Sequence, residues 1–171
     1  LDHKTRGHGI SYCENNNQFY VASSYKDSVI VFDNMLNQID EISFSHKFND
    51  YGVPEHHCND LCVVENSLYV SMFSGSGNYK KDIYDGVVIE IDLIRNEITG
   101  TVMNDLWMPH NISFFDGSLT VLDSLRGELK TNNARAVGRF PAFTRGLDFD
   151  GVYYYIGQSR NRNYSKNLGL S

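Results

Sequence analysis

The sequence predicts an all-β chain built from repeated four-stranded units, and three observations carry that expectation. Almost every apolar run is short and rich in β-branched or aromatic residues, as in Ser28-Val29-Ile30-Val31-Phe32 and Ser118-Leu119-Thr120-Val121-Leu122. Side chains of that kind fit a pleated, half-buried surface. The runs are separated by turn residues, among them Glu14-Asn15-Asn16-Asn17, Glu65-Asn66, Phe115-Asp116-Gly117 and Asp148-Phe149-Asp150-Gly151. Asn and Asp-Gly tolerate the positive φ that tight hairpins require. No stretch keeps an apolar stripe at a 3.6-residue period for three turns, so long helices are not expected.

Laying the hairpins over one another exposes a repeat. His8-Gly9-Ile10-Ser11, a turn and Phe19-Tyr20-Val21-Ala22-Ser23 match Asn59-Asp60-Leu61-Cys62, a turn and Leu68-Tyr69-Val70-Ser71. The same frame returns at His110-Asn111-Ile112-Ser113 with Leu119-Thr120-Val121-Leu122-Asp123, and at Arg145-Gly146-Leu147-Asp148 with Tyr154-Tyr155-Ile156-Gly157-Gln158. In the first two units a third strand ends in an acid, Asp33 or Asp92, and a fourth begins near Gln38 or Glu97. Four strands per unit at this spacing are the pattern of β-propeller blades, with a generic sandwich as the alternative. The units fall at about 8–50, 58–104, 110–144 and an incomplete 145–171.

At 171 residues the chain has the length of one domain with a sizeable core. Propellers close with about 4 to 8 blades, so about three and a half blades read as part of a larger ring. The expectation is a homodimer that completes the ring, or a fragment of a longer chain. A net charge of −6 argues against a partner that is nucleic acid, because that affinity rests on cations. No apolar run is long enough to span a membrane as a helix. Three cysteines, Cys13, Cys58 and Cys62, at irregular spacing form no disulfide framework, which leaves cytoplasm as the default compartment.

Further motifs carry a resemblance. His57-Cys58-Asn59-Asp60-Leu61, Met108-Pro109-His110-Asn111, Leu122-Asp123-Ser124-Leu125-Arg126-Gly127-Glu128-Leu129, Arg145-Gly146-Leu147 and Ile156-Gly157-Gln158-Ser159-Arg160 follow in that order. They resemble an uncharacterised bacterial propeller-like family, the domain of unknown function 4915, from about His8 onward. Asp60 stands where that family tends to carry Gly, and Asn111 where it tends to carry Ser. The resemblance implies a propeller fold and members about twice this length, and it implies no reaction.

The first strand of each propeller blade lines the central channel, so the first frame position of each unit marks one end of it. Those positions hold His8, Asn59, His110 and Arg145. His57 lies two residues before Asn59, on the same face if the strand is regular. Imidazoles at His8, His57 and His110 are the ligand set that zinc or another divalent metal would take. Arg145 would then hold a carboxylate or sulfate, and Asp123 or a tyrosine would move a proton. His110 and Arg145 are the catalytic candidates, and His8, Asn59, Asp123, Gln158 and Arg160 the ligand-binding ones. In site type alone this resembles the metal-dependent lyases built on six-bladed propellers. The plainer alternative is histidines that bond a neighbouring backbone.

The expectation is therefore a polar ligand-binding channel. The alternatives are a metal-dependent lyase or hydrolase acting on a small polar or anionic substrate, and a non-catalytic protein-interaction propeller. Other segments read more plainly. His56 is expected to be solvated, while His3 and His46 fall in connections. Cys58 and Cys62, four apart, lack the second paired spacing of a structural zinc site. Ser74 through Asp85 reads as a long loop at a channel mouth, where function often resides. Tyr153-Tyr154-Tyr155 reads as packing between blades or as a sugar platform, and Arg160 through Lys166 as a basic loop.

Overall fold

The structure is a computed structural model and describes residues 5–45, 55–132 and 135–160. His3, His46 and residues 161–166 of the basic tract lie outside the described residues. The chain is all-β, with a single 3-10 turn among the described residues, at Tyr79–Lys81. The first sheet runs β1 (Gly7–Cys13), β2 (Gln18–Ser23), β3 (Ser28–Asp33) and β4 (Gln38–Ser43). The second holds β5 (Cys58–Val64), β6 (Ser67–Met72), β7 (Gly86–Asp92) and β8 (Glu97–Leu106). The third holds β9 (Pro109–Phe115), β10 (Ser118–Asp123), β11 (Glu128–Thr131) and β12 (Arg135–Arg139), and β13 (Phe143–Phe149) pairs with β14 (Tyr154–Ser159). Each sheet is an antiparallel meander in chain order, which is how a propeller blade is wound.

The apolar alternation of the sequence explains how the sheets stack. Leu68 and Val70 on β6, with Ile89 and Ile91 on β7, pack against Ala22, Val29 and Val31 of the first sheet. Val88 faces the other way, where Met103, Leu106, Ile112, Leu119 and Val121 form a second core with Tyr69 beside it. The second sheet is thus covered on both faces. A fully buried Val or Leu contributes about 1.5–3 kcal/mol, so these two clusters are the main source of stability.

The innermost strands β1, β5, β9 and β13 lie side by side and are stapled by side chain to backbone bonds. The Val63 N–H donates to Ser11 Oγ at 3.1 Å, and Asn59 Nδ2 to the Pro109 carbonyl at 3.4 Å. The Asp60 carboxylate accepts the Asn111 and Ile112 amides, and Asn111 Oδ1 accepts the Leu147 N–H at 3.0 Å. Asp60 and Asn111 therefore perform the same task on successive strands. Gly9 holds the matching position on β1, where an added Cβ would lie 1.9 Å from Asp60 Oδ1. Asp27 pins the entry to β5 by accepting the Glu55, His56 and Cys58 amides at 2.7–3.0 Å.

The expectation that the tyrosine run packs between blades holds for one residue of the three. Tyr153 and Tyr155 are 67 and 54% exposed. Tyr154, 39% exposed, stacks on Phe149 at 4.5 Å and meets Phe115 of the third sheet edge-on at 6.2 Å. Cys58 is fully buried whereas Cys62 is only partly so, because the register of β5 slips between Cys58 and Asp60. All three cysteines are free. Among the described residues no helix is long and apolar enough to cross a membrane.

Candidate functional site at the channel end

Each innermost strand breaks its regular pairing at the frame position or directly beside it. The register slips between Gly7 and Ile10 on β1, across Asn59 on β5, between His110 and Ser113 on β9, and across Arg145 on β13. A slip of this kind inserts an unpaired residue and re-aims its side chain. Immediately before β1, β5 and β9 stand Arg6, His57 and Met108, all at positive φ, 42°, 54° and 55°. His57 thus sits in a left-handed entry residue that recurs from sheet to sheet, and not on the face of a regular β5.

A chain of ring contacts assembles at this end. His8 meets His57 edge to face with centroids 6.0 Å apart, and His57 stacks on Phe73 at 4.4 Å. Tyr79, from the Ser74–Asp85 loop, covers His57 at 4.5 Å. Phe73 also touches His110 at 5.1 Å, His110 meets Phe143 at 5.5 Å, and the Arg145 guanidinium lies 5.6 Å from the centre of the Phe143 ring. The fold therefore brings His8, His57, His110 and Arg145 into one neighbourhood. Asn59 belongs to the same strand entry, buried against Pro109.

The electrostatics follow from burial. Loss of solvent pushes the His57 imidazole down to about 3, with His8 and His110 adding to the effect. His110 falls to about 4, because burial and the nearby Arg145 and His8 outweigh its bond to Met108. His8, more open, is lowered by burial and then by Arg145. Both buried rings are neutral at pH 7. His110 Nδ1 lies 2.9 Å from the Met108 carbonyl and 2.8 Å from Ser124 Oγ. A carbonyl can only accept, so Nδ1 carries the proton and Nε2 keeps its lone pair. Three buried polar atoms lack partners among the described residues: His57 Nδ1, Asn59 Oδ1 and Thr144 Oγ1. All three belong to residues at the start of an innermost strand.

The remaining candidates lie differently. Asp123 is fully buried, and its carboxylate accepts the Trp107 N–H at 2.9 Å and pairs with Lys130 at 2.8 Å and Arg126 at 3.1 Å. That carboxylate is held in a structural ion network and is not free to move protons for a ligand. Gln158 is exposed and its Oε1 accepts the Ala142 N–H, while Arg160 is exposed just past β14. His56 is half-buried and not solvated, its Nδ1 2.9 Å from the Ser74 carbonyl. The sequence reading missed Phe73, Tyr79, Phe143 and Ser124. Tyr79 had a signal in its place in the long loop, and Ser124 in the Leu122-Asp123-Ser124 motif.

Among the described residues no three His, Cys, Asp or Glu side chains are disposed to hold one metal ion. The physical reason is visible in the rings: His57 is enclosed by Phe73 and Tyr79, and Phe73 lies against both His57 and His110. A separate cleft of about 550 Å³ opens between the first and second sheets, lined by Phe44, His56, Met72, Asp85, Val87 and Ile98. It holds none of the unpartnered polar atoms.

No curated protein matches the chain. Among solved structures, one provisionally described as a gluconolactonase is 13% identical with a TM-score of 0.51, covering 92% of this chain and 73% of that one. At that identity the likeness establishes a propeller-like fold and nothing of activity. The model of the family called domain of unknown function (DUF4915) matches residues 8–171, and the chain belongs to that family.

Proposed function

We propose that the channel end formed by His8, His57, Asn59, His110 and Arg145 binds a small polar or anionic ligand. The observation that carries this reading is Arg145. Its guanidinium is exposed, rests against Phe143, and has no carboxylate partner among the described residues, although the chain is acidic overall. A planar guanidinium fork left unpaired beside neutral imidazoles suits a carboxylate or another oxyanion. The partnerless atoms on His57, Asn59 and Thr144 support the same reading, since buried polar groups are ordinarily satisfied.

Binding is tested by thermal unfolding of the purified chain with acetate, sulfate and phosphate. A ligand of the native state alone raises the midpoint. At least one anion is expected to raise it in the wild type and not in Arg145→Met. No anion-dependent shift, or an equal shift in the variant, overturns the reading. The metal-dependent lyase or hydrolase would require the imidazoles to draw together from where they now stand. Elemental analysis decides between the two: about one equivalent of zinc or a similar metal, lost in His57→Ala/His110→Ala, would replace the present reading with that one.

A further inference from the structure

The walls and the charge of the channel end narrow the ligand further, and this step rests on the binding reading above. Among the described residues Arg145 is the one permanent cation in the chain of ring contacts, while the His57 and His110 rings are neutral. One fixed positive charge balances one negative charge. A phosphate monoester would bring a second negative charge that Arg145 alone does not balance. A carboxylate matches the guanidinium fork and leaves nothing uncompensated.

The walls are planar. Phe73, Tyr79, His57, His110 and Phe143 form a continuous run of rings with centroid separations of 4.4–5.5 Å, in which Phe73 and His110 are buried and the half-buried Tyr79, His57 and Phe143 are left to meet a ligand. Rings in offset or edge contact favour a further flat π-system over an aliphatic chain. Polar satisfaction points the same way. Asn59 is 3% exposed, and its Nδ2 is committed to the Pro109 carbonyl, which leaves Oδ1 as an acceptor without a donor. His110 Nε2 is likewise an acceptor, since Nδ1 bears the proton. The site therefore supplies acceptors and asks its ligand for a donor.

We infer that the ligand of this channel end is a planar monocarboxylate bearing a hydrogen-bond donor, in chemical class a hydroxylated or amino-substituted aromatic acid. The carboxylate lies on Arg145, the ring against the aromatic wall, and the hydroxyl or amino group donates towards Asn59 Oδ1 or His110 Nε2.

Isothermal titration of the purified chain at pH 7.5 with acetate, benzoate, 4-hydroxybenzoate and inorganic phosphate tests this. 4-Hydroxybenzoate is expected to bind at least about tenfold more tightly than acetate and several-fold more tightly than benzoate, with phosphate weakest. Arg145→Met weakens every carboxylate at least about tenfold, and Tyr79→Ala weakens the two aromatic acids but not acetate. Thermal melts of both variants confirm that they fold. Equal affinity for acetate and 4-hydroxybenzoate overturns the aromatic assignment, and phosphate binding more tightly than any carboxylate overturns the monoanion. In both of those outcomes, Arg145-dependent binding leaves the broader reading standing. Absence of all binding, or binding indifferent to Arg145→Met, overturns both.

Discussion

The middle strands and the innermost strands obey different rules although they belong to the same sheets. β2 and β3 pair over six residues without a slip, as do β6 and β7. Every innermost strand slips, and three of them are entered through a left-handed residue. The middle strands bury Val29, Leu68, Val70 and Val88 completely. The innermost entries carry the three described buried polar atoms that have no partner. Regular pairing supplies stability. The breaks in it place chemistry-bearing side chains where a uniform sheet would not.

The largest expected separation of the two regions comes from the middle strands. Leu68 is fully buried in the core between the first two sheets. Leu68→Ala is expected to cost about 3 kcal/mol, the transfer term plus an unfilled cavity. Urea denaturation should show the midpoint fall with little change in slope. Where the variant is folded, its response to carboxylates should match the wild type. A loss of ligand response in folded Leu68→Ala would mean that core and channel end are not separable.

Next in size is the response to acid, which His57 and His110 at the innermost strands govern. In the unfolded chain both imidazoles take up protons near pH 6.5, whereas in the fold His57 and His110 wait until about 3 and about 4. The unfolded state therefore binds more protons through that window, so stability is complete above about pH 6.5 and declines as pH falls towards 4. For His110, which is only 8% exposed, the difference amounts to roughly 3 kcal/mol. Asp60 works in the opposite sense: burial raises its carboxyl, so protonation favours the fold at the acid end of the window. Denaturation at a series of pH values should show the decline in the wild type and a shallower one in His110→Gln. Equal slopes in the two proteins would place the acid sensitivity elsewhere.

The same division explains what the sequence made legible. Alternation is a period-two signal, and where pairing is uniform it survives intact. β2, β3, β6 and β7, with the turns that join them, can be read directly from the residues. The convergence of His8, Asn59, His110 and Arg145 was legible too, because the repeat frame is carried by the strands and not by their faces. What one sequence could not show is how each frame residue is aimed. A slip of one residue reverses every facing beyond it. The expectation that His57 and Asn59 share a strand face failed because His57 is a left-handed entry residue ahead of β5 and the pairing slips across Asn59. Asp123 read as a free acid, because nothing local announces that Lys130 and Arg126 fold back onto it. Tyr79 reaches His57 from an irregular loop, where no period exists to be read.

The finest distinction between the two regions lies in a single atom. Thr144 is fully buried at the start of β13, and its Oγ1 has no partner among the described residues. On a middle strand, Thr120 Oγ1 is also buried but donates to the Ser113 carbonyl at 3.1 Å. Valine replaces a hydroxyl by a methyl at nearly the same volume, so it removes a desolvated polar group where none is satisfied and a hydrogen bond where one is made. Thr144→Val is therefore expected to stabilise the chain by about 1 kcal/mol, and Thr120→Val to destabilise it by a similar amount. Opposite signs in parallel urea titrations would show that the channel end bears an energetic cost the middle strands do not. A loss of stability in Thr144→Val would mean that its hydroxyl is already satisfied, and that Thr144 belongs with the structural half of the molecule.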